Sequence, residues 1–203
     1  MFTASIISII NDQIKTNTLC DARFAGASIN SIAYDGTEVD STGTRVFPVV
    51  YDLSGNGTKV SPDDTYPLQI YHKILNRTYQ VKPSSVGSRA NVVSEKTDVK
   101  MIVAGWTNIL QLSQEDVEAL IASNFPDQID PSLYTPLRLQ NLVVTLQSSV
   151  LDRAQVYAGE YRGITYQIGP EQILLSIRYQ IESTWKKGCF IITDCQPAGV
   201  LHT

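Results

Sequence analysis

Charge is what this sequence has least of. Only 18% of its 203 residues are charged, against 43% that are hydrophobic, and 20 acidic to 16 basic residues leave a net charge of −4. That balance argues against a broad nucleic-acid-binding face, though not against a locally basic lumen. Scarce charge, combined with abundant Ser, Thr, Asn and Gln, suits a surface buried against other subunits, because interface cores are depleted of charge. Cysteine is scarce too. Cys20, Cys189 and Cys195 form no CxxC pair, and three thiols cannot all bridge one another. Reduced thiols from a cytosolic site of synthesis are the default reading, with a Cys189–Cys195 loop as the alternative that geometry would have to allow. Long apolar runs are missing as well. Nothing approaches the roughly 20 apolar residues of a membrane span, and the apolar opening Met1–Ile10 has neither a basic leader nor a small-residue cleavage site. A soluble product without a signal peptide or membrane contact is expected.

The motifs of catalysis are also absent. There is no GxxxxGK[ST] or GxGxxG loop to cradle a phosphate, and no HExxH or paired-cysteine zinc spacing. The serines include no GxSxG elbow, and two histidines, His72 and His202, leave little material for a triad. His72 falls in an alternating stretch without a Cys, Asp or Glu cluster beside it, where a histidine is usually a surface or core residue rather than a ligand. Asp52 to Asp63 partly matches a calcium loop, with oxygen-bearing side chains at the first, third and fifth places and glycine at the sixth. Its twelfth place holds Asp rather than the longer Glu, and a Gly55-Asn56-Gly57 turn between two strands accounts for the same residues. Neither a cofactor, a metal nor a catalytic residue is expected, and the chain reads as a structural or binding protein rather than an enzyme.

What is present is periodicity. Phe2, Ile6, Ile9, Ile10 and Ile14 recur at helical spacing with Asn11, Asp12 and Lys15 between them, so residues 3–16 read as an amphipathic helix, a buried strand being the competing reading. Residues 17–64 are turn-rich, with short strands around Ser28–Tyr34 and Arg45–Leu53, and Pro48 marks an edge or irregularity in the second. Leu68 to Val81 alternates as a strand, Pro83–Asn91 is a solvated loop, and Val99, Met101 and Val103 lead a strand toward Trp106. Ser113 caps a helix with an acidic first turn and a buried stripe of Val117, Leu120, Ile121 and Phe125, which Pro126 stops. Asp127–Leu137 is a firm, proline-bearing connector. Leu142, Val144 and Leu146 then share one face of a strand. The cleanest alternation belongs to the last strand, where Ile173, Leu175, Ile177, Tyr179 and Ile181 oppose Gln172, Ser176, Arg178, Gln180 and Glu182, with Leu174 the apolar exception. One buried and one wetter face follow from it.

Between Asp152 and Pro170 lies a polar, aromatic segment interrupted by Gly159, Gly163 and Gly169. Its Arg153, Tyr157, Tyr161, Arg162 and Tyr166 are the residue types favoured at protein interfaces, so this segment is expected to be an exposed arm that contacts a neighbouring subunit. The fold class is α+β, a mostly antiparallel sheet packed by two helices. Residues 1–187 form one domain, with 17–64 a β-rich insertion and 188–203 a C-terminal tail; a chain of this length buries roughly 70% of its unfolded surface.

The order of an N-terminal helix, several strands, the Ser113–Phe125 helix and the strand pair Leu142–Val150 and Gln172–Trp185 resembles the tail-terminator and tail-completion proteins of double-stranded DNA phages. The ending, with Ile173, Tyr179 and Ile181 followed by Trp185 and a short polar tail, is similar to theirs. The Ser/Thr/Asn/Gln-rich style and isoleucine-rich opening resemble proteins of crAss-like podoviruses. The likeness covers roughly residues 1–16 and 66–187 and lies in element order; Asn17–Asp64 and the tail from Gly188 exceed the minimal family pattern. The resemblance implies a homo-oligomeric ring in the neck or tail of a virion, made in the host cytoplasm. That ring would adjoin other neck, tail and portal proteins and pass DNA through its lumen without sequence-specific binding. Inward basic residues would be Lys82, Arg89 or Arg162, and a phage tail implies six- or twelve-fold symmetry. The alternative is a carbohydrate- or ligand-binding β-rich module of a phage fibre or bacterial surface, marked by a concave cluster of Trp106, Trp185 and tyrosines. An enzyme would be marked by a deep pocket with convergent His72 and carboxylates.

Overall fold

The computed structural model describes residues 2–18, 28–29, 34–39, 46–51, 57–59, 66–83, 91–126, 128–134, 139–156 and 169–186, those from 28 to 59 by their backbone alone. Its framework is an antiparallel sheet of four long strands, β5 (Leu68–Pro83), β6 (Asn91–Trp106), β7 (Asn141–Val150) and β8 (Gln172–Lys186). They lie in the order β5-β6-β8-β7, and a two-residue strand β1 (Ser28–Ile29) joins the β5 edge in parallel at Gln69 and Ile70. The α+β architecture with a mostly antiparallel sheet is as expected.

Helix α1 (Phe2–Thr18) and helix α3 (Gln114–Asn124) cover one face, the front. In α1, Thr3, Ile6, Ile7, Ile10, Asn11 and Ile14 are buried, a stripe spaced three and four residues apart. Its branched isoleucines are only moderate helix formers, so packing holds the helix, at about 1.5–3 kcal/mol per buried side chain. Ser113 starts α3 through a reciprocal capping box: its hydroxyl accepts from the Asp116 amide and the Asp116 carboxylate accepts from the Ser113 amide. Val117, Ile121 and Phe125 turn inward from α3. They meet Leu68, Ile70, Val99, Met101, Val103, Leu142, Val144 and the alternate β8 residues Ile173 to Ile181.

The wetter face expected for β8 is only half there. Leu174 and Ser176 are fully buried on the back of the sheet, as are Tyr71, Ile102 and Ala104 beside them, together with Val156 of a short helix α5 (Arg153–Val156). From Leu68 to His72, Val99 to Gly105 and Ile173 to Ile177 the sheet is therefore dry on both faces. Beyond Arg178 the back becomes exposed or half-exposed, and alternation returns. Gly105 belongs to the tight end: a Cβ there would come within 2.7 Å of the Pro67 carbonyl oxygen.

Strands β2 (Tyr34–Val39), β3 (Val46–Tyr51) and β4 (Gly57–Lys59) form a second, antiparallel sheet with β3 in the middle. Pro48 pairs across to Thr37, but β4 reaches only Val49 to Tyr51, so the proline occupies a locally one-sided position. The connector after Asp127 contains a helical turn α4 (Pro131–Tyr134) that proline content alone did not announce. Asp130 caps that turn by accepting from the Ser132 amide at 2.8 Å, and this bond lowers its carboxyl pKa. A further turn, α2 (Thr107–Leu110), leads from β6 toward α3. No described helix is long and apolar enough to cross a membrane.

Candidate functional site

The chemistry-bearing groups of the front face gather under α1. His72 on β5 is 1% exposed, and its ring bridges two elements: Nε2 lies 2.6 Å from Asn11 Oδ1 on α1, and Nδ1 lies 3.0 Å from the Tyr179 hydroxyl on β8. An amide oxygen can only accept and a neutral imidazole has one donor, so Nε2–H donates to Asn11 and Nδ1 accepts from Tyr179. Burial pushes the His72 pKa down to about 3 and the Tyr179 pKa well up, so both stay neutral across the physiological range. The two rings meet edge to face at 5.8 Å, and Phe125 of α3 packs on Tyr179 at 5.1 Å.

A second polar group sits near the start of α1. Glu95 on β6 is 4% exposed, and its Oε1 accepts from the Thr3 hydroxyl at 3.1 Å and from the Thr97 hydroxyl at 2.9 Å. Arg77 Nε lies 3.0 Å from the same oxygen, as an ion pair whose N–H is not aligned for a hydrogen bond. A carboxylate at the positive end of a helix gains from the macrodipole as well as from these donors.

Neither group has the form of an active site. His72 is sealed beneath Asn11 and Tyr179, with no carboxylate among its hydrogen-bond partners. A cleft of about 380 Å³, lined by Ile9, Asp12, Gln13, Thr16, Pro126, Gln128 and Leu133, lies on the outer side of α1 and contains neither His72 nor Glu95. Among the described residues no cluster of His, Cys, Asp and Glu could hold a metal ion. Trp106 pairs with Gln172 and Trp185 with Val93, at opposite ends of one ladder. At about 3.3 Å per residue they stand roughly 40 Å apart, so these two do not make a shared concave surface. No protein family and no curated protein matches the chain.

Of the five residues expected at an interface, Arg153 is described, and it is engaged within its own chain. From α5 its guanidinium donates to Gln114 Oε1 at 3.1 Å, to the Gly169 carbonyl at 2.9 Å and to the Pro170 carbonyl at 3.4 Å. It thereby ties the two ends of the 152–170 segment to the start of α3. Tyr157, Tyr161, Arg162 and Tyr166 lie outside the described residues, as do Arg89, His202, the three cysteines and most of Asp52–Asp63. Lys82 lies next to the end of β5, paired with Val92 and described by its backbone.

The surface features with most to offer a partner are strand edges. On β7, positions 145–149 are exposed on both faces, with Val143 at 44% and Leu146 at 36% exposure. On β5, Tyr79 and Val81 are 56% and 57% exposed. The segment NLVVTLQSSV has no charge and no proline. The sequence shows that composition, and the structure adds that the strand lies at the edge of the sheet. Asn11 stands in the sequence with the polar Asp12 and Lys15, yet it is 1% exposed and faces the sheet.

Proposed function

We propose that this protein is a structural virion subunit that assembles into a ring in the neck or tail of a phage, of the tail-terminator type. In this reading the ring joins head or portal to tail and lets DNA pass through its lumen without reading sequence. The observation that carries it is the pair of sheet edges, β7 and the outer part of β5, that no strand among the described residues covers, since such edges are templates for pairing with another chain. Support also comes from the interior: His72, Tyr179, Asn11 and Glu95 are engaged with one another or with neighbours that hold α1 on the sheet. Function in such a subunit is geometric. The fold supplies a rigid unit, and contacts between identical units supply the closed shape. The test is the mass of the purified protein in solution, by light scattering across a concentration series and again in high salt. A discrete assembly of many subunits, insensitive to salt, is the expected result; a strict monomer at every concentration overturns self-assembly.

A further inference from the structure

The two open edges complement each other. The strands alternate in direction across β5-β6-β8-β7, so an even number of antiparallel strands leaves β5 and β7 pointing in opposite senses. A second copy set beside the first in the same orientation therefore brings its β5 antiparallel to β7, and the ladder continues without reversal. Among the described residues no strand pairs with the outer side of β5 from Ile74 to Pro83, since β1 pairs with Gln69 and Ile70. β7 offers ten residues.

Side-chain parity agrees with this pairing. Read straight across the sheet, Leu142 stands level with Ser183, Glu95 and Tyr79, and Leu146 stands level with Tyr179, Val99 and Ile74. All of these face front. Joined edge to edge, Leu142 and Leu146 of one copy come alongside Tyr79 and Ile74 of the next, and a slip of one residue would send each to the opposite face. Cross-strand apolar pairs of this kind are the unit of sheet stabilisation.

The irregularities agree as well. β5 has a bulge between Ile74 and Asn76, and β7 has one between Leu146 and Ser148. They flank the single row Ile74–Val99–Tyr179–Leu146 from its two sides, so the two edges are interrupted next to the same row. A bulge protects an edge against a straight foreign strand. Between the bulges and the strand ends the stretches Asn76–Gln80 and Asn141–Thr145 are regular and level with each other, Asn76 with Thr145 and Gln80 with Asn141.

We infer that the seam of the assembly is β7 of one subunit paired antiparallel with β5 of a second copy, front face continuous with front face. This rests on the ring reading above and specifies its contact. Direction and parity follow from the even number of strands; the exposed apolar residues Ile74 and Leu146 in one row, with a bulge beside each, are what the two edges share beyond that. The contact is heterologous, so each subunit keeps one β5 and one β7 edge for its two neighbours, and a ring results when the rotation from copy to copy closes.

Lysines at exposed edge positions test it: Val143→Lys with Leu146→Lys on β7, and Thr78→Lys with Val81→Lys on β5. Far-UV circular dichroism and the melting curve establish that each variant is folded; where one is not, Thr145→Lys and Gln80→Lys, both at exposed positions, replace it. Sedimentation then compares wild type, each variant and their equimolar mixture. The expected outcome is a multimer for wild type, a monomer for either variant alone, and a dimer of one of each for the mixture, because only one intact seam remains. Dimers of the β5 variant alone would mean that β7 pairs with itself and would overturn the inference. Variants that assemble as wild type does would place the seam elsewhere while leaving the ring reading standing. A wild type that stays monomeric overturns both.

Discussion

Strands β5, β6 and β8 have two halves that obey the same pattern under opposite conditions. In the inner half, from Leu68 to His72, Val99 to Gly105 and Ile173 to Ile177, nearly every residue is buried whichever way it points. In the outer half the front remains largely covered while the back carries Thr78, Gln80, Lys96, Arg178 and Lys186 in the open. Hydrogen-bonded ladders run unbroken from one half to the other through β6 and β8. The difference lies in what surrounds the ladder. A polar group in the inner half must find a partner inside the protein, whereas one in the outer half can use water.

Three perturbations would break or sharpen this contrast. His72→Ala, in the inner half, removes a packed ring and leaves Asn11 and Tyr179 facing each other across a void. We expect a loss of about 3 kcal/mol or more by urea denaturation. The same residue sets a pH dependence. Its pKa is about 3 when folded against 6.5 for the free side chain, so below pH 6.5 the unfolded chain takes up a proton that the folded one refuses. Its contribution is complete above pH 6.5 and falls by about 1.4 kcal/mol per pH unit toward pH 3. His72→Gln should flatten that slope by nearly one proton; an unchanged slope would mean that water reaches the imidazole.

Gly105→Ala comes next. Its added methyl meets backbone at Pro67, which also accepts the Trp106 amide hydrogen bond at 3.3 Å, so the chain has to shift. A cost of about 1–3 kcal/mol is expected in thermal melts. Smallest is Lys96→Ala in the outer half, which removes the surface ion pair to Glu182. Less than about 1 kcal/mol should follow, vanishing at high salt. A larger effect than that of Gly105→Ala would erase the distinction between the halves.

Local signals were legible in the sequence wherever a residue's role depends on its near neighbours. Ser113 and Asp116 are three positions apart and cap their helix where they were expected to. The alternation from Ile173 to Ile181 turns out to be the front of the central strand β8. What could not be read was burial imposed from a distance. Leu174 is an apolar exception in any periodic scheme, and only the covering of the back of the sheet makes it and Ser176 ordinary core positions. His72 has no acidic or cysteine neighbour in the chain, and its partners lie on a helix and on a strand two ladders away. The helical turns at Pro131–Tyr134 and Arg153–Val156 are too short for periodicity to register. Arg153 has the composition of an interface residue, and its geometry is that of a clamp.

The Asn11–His72–Tyr179 chain has a consequence in time. Asn11 and His72 are 61 residues apart, and His72 and Tyr179 a further 107. At roughly 5–20 residues per second of synthesis, many seconds pass between the appearance of Asn11 and that of Tyr179. Until β8 arrives, the seat of α1 lacks the strand that carries Tyr179, and its row of isoleucines has only part of its final core to press against. The first helix made is thus completed in its seat by the last long strand, and the row of isoleucines waits through most of synthesis for its full cover.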